Sequence, residues 1–160
     1  MELVGHIRSG IGFGLTSSII TTLGLMVGLF AGTQSRLVVI GGILTIAVAD
    51  ALSDAMAMHV SEESEGMHSP TEIWGATGAT FLAKFFFAII FLAPVLLLEL
   101  QLAIMASISL GLLLIFGFSC WIALQQKKSW LHMAGEHLLI AVLVIALTYY
   151  IGTQIAVIFG

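Results

Sequence analysis

Charged residues are scarce in this chain. Among its 160 residues, five are lysine or arginine and nine are aspartate or glutamate, whereas 59% are hydrophobic. A water-soluble domain of this length needs a larger charged surface to stay dispersed, and it avoids extended apolar patches. The composition therefore argues against a soluble domain, and the lack of a basic patch argues against a nucleic-acid partner.

The chain also has very little cysteine, and its N-terminal residues lack the pattern of a signal peptide. Cys120 is the only cysteine, so no disulfide can form within the chain, and we expect it to pack as a small hydrophobic residue. Residues 1–9 carry mixed charges and lead into a long glycine-rich apolar stretch. A signal peptide has a short apolar core and a cleavage site instead, so we expect the first apolar segment to remain in the protein.

The chain is dominated by long apolar runs. Its mean hydropathy is +1.13, and a spanning helix takes roughly 20 mainly apolar residues. Lipid permits only helices or closed barrels, and runs of this length are not barrel strands. The sequence therefore predicts an all-α polytopic membrane protein in which residues 1–160 form a single transmembrane domain. The five predicted spans cover about residues 11–31, 37–60, 72–98, 102–124 and 133–158.

Basic residues predict the orientation of these spans. The face that holds the N-terminus also holds Arg8, Lys127 and Lys128, whereas the opposite face holds only Arg36. Because cytoplasmic loops carry the excess of lysine and arginine, we expect a cytoplasmic N-terminus and a C-terminus on the opposite side. The acidic loop 61–66 then faces the cytoplasm.

Two aspartates in the second predicted span are the strongest functional signal. A carboxylate near the bilayer centre costs roughly 3 kcal/mol on insertion scales, and Asp50 and Asp54 lie four residues apart on one helical face. The same stripe continues toward the acidic loop through Ala57, Met58, Ser61 and Glu65. Oxygen ligands with one thioether suit Fe²⁺ or Mn²⁺ better than Ca²⁺. The pattern favours an ion path, and the alternative is a structural aspartate pair neutralised by protons or by Lys84.

Lys84 lies about fourteen residues into the third predicted span, at a depth near that of Asp50 if the two helices are antiparallel neighbours. Two interpretations stay open. Lys84 is the counter-charge that holds the site when no metal is bound, or its long stem reaches the cytoplasmic interface.

The loop after the second span carries Glu62, Glu63, Glu65 and His68. These side chains are expected to gather cations from the cytoplasm, with Glu62 and Glu65 as metal ligands, although charge runs at helix ends are often only solvated. Glu72 needs no metal, because Ser69 to Glu72 is typical of a capping box with proline at the first helical position.

Glu136 is the last predicted ligand. It lies four residues after His132, at the expected cytoplasmic end of the fifth span. We expect it to contribute to the mouth of the path, and the alternative is an interfacial hydrogen-bonding pair with His132.

The first span offers hydroxyls and glycines rather than carboxylates. Its polar face could line a wet path, although hydroxyls also bond to the carbonyls of their own helix; this face consists of Ser17, Ser18, Thr21 and Thr22. Gly24, Gly28 and Gly32 form a doubled small-xxx-small pattern that lets another helix approach closely. The motif does not decide whether that helix belongs to the same chain or to a second copy.

This arrangement resembles the vacuolar iron transporter family over essentially the whole chain. The matching segments are Leu25–Gly28, Ala49–Ser61, the region of Phe81 and Phe85 before Pro94, and, best of all, Leu147–Gly152. The resemblance implies five membrane helices, exchange of Fe²⁺ and related ions for protons, and a homodimer with the metal path between its subunits.

Three features differ from the family pattern. Ser17 or a neighbour lies where the family's first helix brings an aspartate into the path. Asp54 and then Met58 lie where the family has a methionine and then a glutamate. Only about a dozen residues, Ser61 to Glu72, stand where many members carry a long helical metal-binding insert.

From these observations we expect a homodimer in the membrane that exchanges a divalent metal, Fe²⁺ or Mn²⁺, for protons. It is expected to have no enzymatic activity and no cofactor beyond the transported ion. One alternative is a non-transporting b-type haem protein, although only His59 of the five histidines lies clearly inside a predicted span. Another is an interaction subunit that packs against a larger complex.

Overall fold

The computed structural model describes residues 2–159, and nearly all of them are helical. The predicted all-α fold is confirmed. The helices are α1 (Glu2–Thr33), α2 (Arg36–Ser64), α3 (Pro70–Ile89), α4 (Leu92–Leu97), α5 (Leu100–Gln126) and α6 (Trp130–Phe159).

Five helical stretches are long and apolar enough to cross a membrane, as the apolar runs predicted. They cover Leu3–Thr33, Arg36–Ser64, Pro70–Leu97, Leu100–Gln126 and Trp130–Phe159. The helices extend beyond the predicted spans at most of their ends. The largest difference is at α1, which begins at Glu2 rather than near Ile11 and therefore carries His6 on a regular helix.

The third stretch is interrupted. The sequence predicts a single helix over about residues 72–98, but the structure has two. α3 ends at Ile89, and α4 begins at Leu92. Pro94 explains the position of the break, because proline has no N–H to donate and its ring clashes with the carbonyl four residues earlier, that of Ile90. The chain then turns within two residues, and α5 begins at Leu100, in agreement with the predicted short connection.

The chain divides into two compact units. The first consists of the residues up to Ile19 together with Ile43–Leu92, and the second consists of Ile20–Gly42 together with Ala93 onward. The first unit contains the N-terminal half of α1, most of α2 and all of α3. The second unit contains the rest of α1, the start of α2, and the helices α5 and α6, which pack along each other.

In the first unit, glycines let α1 cross α3 at very short range. A Cβ added at Gly10 would lie 2.5 Å from the carbonyl oxygen of Ala76, and one added at Gly14 would lie 2.8 Å from that of Thr80. Side chains at these positions would push the two backbones apart. This pair of glycines, four residues apart, escaped the sequence analysis.

In the second unit, the predicted glycine stripe of α1 faces α6 of the same chain. A Cβ at Gly28 would lie 3.3 Å from the carbonyl oxygen of Thr148, and one at Gly32 would lie 3.3 Å from that of Gly152. This contact answers the question that the motif left open: its partner helix is intramolecular.

The connection between α2 and α3 is closely defined. Gly66 has a φ of 67°, in the left-handed region that glycine adopts at little cost, and it turns the chain at the end of α2. The predicted capping box is confirmed: Ser69 donates its backbone N–H to the Glu72 carboxylate at 2.9 Å, and the Glu72 N–H donates to Ser69 Oγ at 3.4 Å.

Candidate functional site

Lys84 is the most deeply buried charged side chain that the structure describes in the first unit. It is 2% exposed, and its ammonium contacts one carboxylate oxygen of Asp50 and one of Asp54. It also donates to the hydroxyl of Ser17 at 3.1 Å. An ammonium has three donors, and these three acceptors account for all of them. The Lys84 ammonium therefore pairs with the two aspartates, as the counter-charge interpretation predicts, rather than extending to an interface.

The two aspartates sit on the rim of this cluster rather than in its interior. Their side chains are 28% and 23% exposed, for Asp50 and Asp54 respectively. Ser17 donates its hydroxyl to Asp54 at 3.1 Å, so it links the ammonium to the carboxylate. With all three groups ionised, two carboxylates and one ammonium leave one net negative charge in the cluster.

Helix packing places these groups together. Gly14 allows α1 to approach α3 so closely that an added Cβ would lie 3.3 Å from the backbone nitrogen of Lys84. One turn further along α1, Ser18 donates its hydroxyl to the Lys84 carbonyl at 2.8 Å. Ser17, the residue before Ser18, lies on the side that faces the aspartates. Sequence alone places both hydroxyls on a polar face of the first span, but it does not identify the groups that they bond.

The part of the predicted Asp50 stripe that follows Asp54 along α2 lies mostly on the outer surface of the chain. Met58 is half-buried, whereas Ala57, Ser61 and Glu65 are exposed. The outer side of this part of α2 forms an open concavity of about 720 Å³, and the residues that line it are Ser53, Met56, Ala57, Val60, Ser61 and Ser64. In the single chain, therefore, the stripe does not form an enclosed path.

A second polar cluster lies at the end of α2, within the same unit. Glu62 is 8% exposed, and its carboxylate oxygen Oε2 lies 2.8 Å from His6 Nδ1 and 2.9 Å from His68 Nδ1. One ligand atom from each of these three residues falls within 4.8 Å of the other two. Glu62 therefore lies beside His68, buried between two imidazoles rather than in solvent, and its role as a cation collector stays a prediction.

The contacts in this cluster are at ion-pair distance. Glu62 Oε2 and His68 Nδ1 are both buried, and neither makes a hydrogen bond within the part of the chain that the structure describes. Glu65 lies outside the cluster, with a carboxylate oxygen 3.7 Å from the other ring nitrogen of His68.

His6 is the residue that sequence reasoning missed. The sequence predicts the first span only from about Ile11, so it does not indicate that His6 lies on the same helix. A signal existed: His6, Gly10, Gly14 and Ser17 recur at spacings of four, four and three, which puts them on one face of a helix.

Glu136, the remaining predicted ligand, belongs to the second unit. Its carboxylate lies 3.3 Å from His132 Nε2, and the two side chains are 60% and 80% exposed, respectively. This is the alternative that the sequence analysis left open, an exposed interfacial pair. A role for Glu136 in metal binding stays a prediction.

Comparison with known proteins gives no further assignment. No family model, no curated protein and no solved structure shows a significant match to this chain.

Proposed function

We propose that this protein moves a divalent metal ion across a membrane, with Fe²⁺ or Mn²⁺ as the favoured cargo, in exchange for protons. The observation that carries the proposal is the buried ammonium of Lys84 between Asp50 and Asp54. Ionisable groups inside membrane helices are costly, and they typically mark ion pathways or proton relays.

The charge of the cluster suits exchange. Two aspartates balance one divalent cation, and Lys84 occupies the place between them that such a cation would take. Metal and ammonium repel each other, so metal entry requires the positive charge of Lys84 to move away or to leave as a proton. Metal binding generally releases protons from its ligands, and proton exchange is therefore the natural form of coupling.

The available ligands favour first-row transition metals. Asp50 and Asp54 supply carboxylate oxygens, Ser17 supplies a hydroxyl, and Met58 lies one turn below Asp54 with a thioether. Carboxylate oxygens suit Mg²⁺, Ca²⁺ and Mn²⁺ alike, whereas a thioether favours softer ions. The mixed set selects Mn²⁺ or Fe²⁺ over Mg²⁺.

A homodimer is part of the proposal. The rim position of the aspartates and the outward-facing serines of α2 leave polar groups on the surface of one chain, and polar groups in lipid need a partner. A second copy placed against α2 would enclose the path. This arrangement agrees with the resemblance to vacuolar iron transporters, which implies a homodimer with the metal path between its subunits.

Flux into liposomes tests the proposal. Purified protein is reconstituted, and uptake of Fe²⁺, Mn²⁺, Co²⁺, Zn²⁺ and Mg²⁺ is measured together with internal pH. We expect Mn²⁺ or Fe²⁺ uptake with proton movement in the opposite direction, and negligible Mg²⁺ uptake. Absence of flux for all five ions would refute transport, and a Soret band in the same preparation would favour the haem alternative.

A further inference from the structure

We propose that His6, Glu62 and His68 form a binding site for a transition-metal ion of the Zn²⁺, Co²⁺ and Fe²⁺ class. The site is separate from the Asp50, Asp54 and Lys84 cluster, and it does not depend on the proposed transport function. It joins the start of α1, the end of α2 and the α2–α3 connection.

The distances fit such an ion. Zinc binds imidazole nitrogen and carboxylate oxygen at about 2.0–2.2 Å, which in a tetrahedral site puts neighbouring ligand atoms roughly 3.3 Å apart. The nitrogens of His6 and His68 lie 2.8 and 2.9 Å from Glu62 Oε2. The three ligand atoms all lie within 4.8 Å of one another, and lengthening the two Glu62 contacts by about half an ångström would bring them to the tetrahedral value.

Among the residues that the structure describes, two of these buried atoms lack a hydrogen bond, and this supports the site. A buried carboxylate oxygen without a hydrogen bond is costly, and Glu62 Oε2 has none with the residues from 2 to 159. His68 Nδ1 is buried beside it in the same condition. A cation at the point where these atoms converge would satisfy both of them at once.

The donor set selects the ion. Two imidazoles and one carboxylate are ligands for Zn²⁺, Fe²⁺, Co²⁺ and Ni²⁺, whereas Mg²⁺ and Ca²⁺ prefer oxygen alone. Three protein ligands leave a coordination position open, so the ion can be delivered and removed. The chemistry thus fits a site that exchanges its metal.

Surrounding residues support the ligands. Glu65 lies 3.7 Å from His68 Nε2, the ring nitrogen that would face away from the ion. This is beyond hydrogen-bond distance, and a small approach of Glu65 would let it accept from that nitrogen and orient the ligating ring. Gly66, with its positive φ, reverses the chain so that His68 returns to Glu62. The turn at Gly66 therefore sets the position of the second histidine, and Glu65 lies close to its outer nitrogen.

Co²⁺ binding to the full-length protein in detergent tests the site, followed by visible absorption and calorimetry. The Asp50→Asn/Asp54→Asn/Lys84→Met background removes the other cluster as a competing site while leaving no unpaired buried charge there. In this background we expect the absorption of a low-coordinate Co²⁺ site, displacement by Zn²⁺ and no displacement by Mg²⁺. Saturating metal should raise the Tm by about 5 °C.

Substitutions then identify the ligands. His6→Ala, Glu62→Gln and His68→Ala should each weaken Co²⁺ affinity by more than about 100-fold, whereas Glu65→Gln should cost about tenfold. The matched control is His132→Asn, because His132 and Glu136 also form a histidine–glutamate pair, but an exposed one. Each variant is first checked by gel filtration and by its Tm without metal.

The results separate the two proposals. Wild-type affinity in the three ligand variants, or equal losses in His132→Asn, would overturn the site, as would Co²⁺ binding that disappears in the background variant. Co²⁺ binding that follows the predicted order without any metal flux in liposomes would refute transport and leave the site standing.

Discussion

The two clusters on α2 offer opposite solutions to burying acidic groups. At Asp50 and Asp54, the protein supplies its own cation, the ammonium of Lys84. At Glu62, it supplies two imidazoles, which can be neutral and can donate lone pairs. The first cluster must therefore lose a charge before it can accept a metal ion, whereas the second needs only to open slightly. The comparison predicts a readily occupied site at the end of α2 and a regulated one further along the same helix.

Asp54 and Glu62 are eight residues apart on one helix, a rise of about 12 Å. With the proposed orientation, the histidine cluster comes first for an ion arriving from the cytoplasm. Under the two proposals together, we expect the two sites to act in series.

The largest expected effect is the loss of thermal stability when the positive charge of Lys84 is removed. Lys84→Met leaves two aspartates facing each other without a cation. Breaking a fully buried ion pair costs about 3–5 kcal/mol, and the partial exposure of the two aspartates lowers this cost. The variant should have a much lower Tm in detergent, and adding Asp54→Asn should restore much of the loss. Lys84→Met with a wild-type Tm would show that the ammonium is not needed to hold the aspartates.

The next effect distinguishes ligands from other polar residues. Asp50→Asn and Asp54→Asn should each reduce metal uptake into liposomes more than about 100-fold, because each removes a negative ligand, while Lys84 keeps one carboxylate partner. Ser109→Ala, an exposed serine of α5 that donates only to the Met105 carbonyl of its own helix, is the control and should transport normally. Equal uptake by all three variants would contradict the proposed path.

A third test compares the two glycine contacts of α1. Gly14→Ala forces a side chain toward the backbone of α3, beside Lys84, and should cost about 1–3 kcal/mol as overpacking does. Gly28→Ala, whose Cβ would lie 3.3 Å from the Thr148 carbonyl, should cost less and should leave the Lys84 cluster intact. Thermal unfolding and Mn²⁺ uptake, measured for both variants, check the order. A larger loss of uptake in Gly28→Ala than in Gly14→Ala would contradict the claim that the Gly14 contact positions the Lys84 cluster.

The smallest effect concerns the exposed glutamate, Glu63, in comparison with the buried Glu62. Glu63→Gln should weaken the apparent metal affinity of uptake slightly, and the difference should vanish as salt screens the surface potential over roughly 8–10 Å. Glu62→Gln should weaken affinity at every ionic strength, since Glu62 is buried between histidines. Identical salt dependence for the two variants would indicate that both glutamates are merely solvated.

The sequence predicted those features that depend on local pattern. Apolar runs identified five long helices, and Ser69 with Glu72 identified a helix start. The break near Ile90 follows from Pro94, but a proline inside an apolar run does not state whether a helix kinks or stops. The partners of Lys84 and the approach of His6 depend on packing between distant segments through Gly10 and Gly14. Helical periodicity alone indicates which face is close-packed, but not which helix it meets.

The most direct test of the central claim is to locate the ion. A crystal structure of the protein grown with Mn²⁺, with anomalous scattering to identify the metal, would show where it binds. The account predicts Mn²⁺ between Asp50 and Asp54, with the ammonium of Lys84 displaced from both carboxylates. An ion-free aspartate cluster with Lys84 still in place, at Mn²⁺ concentrations that support uptake, would contradict it.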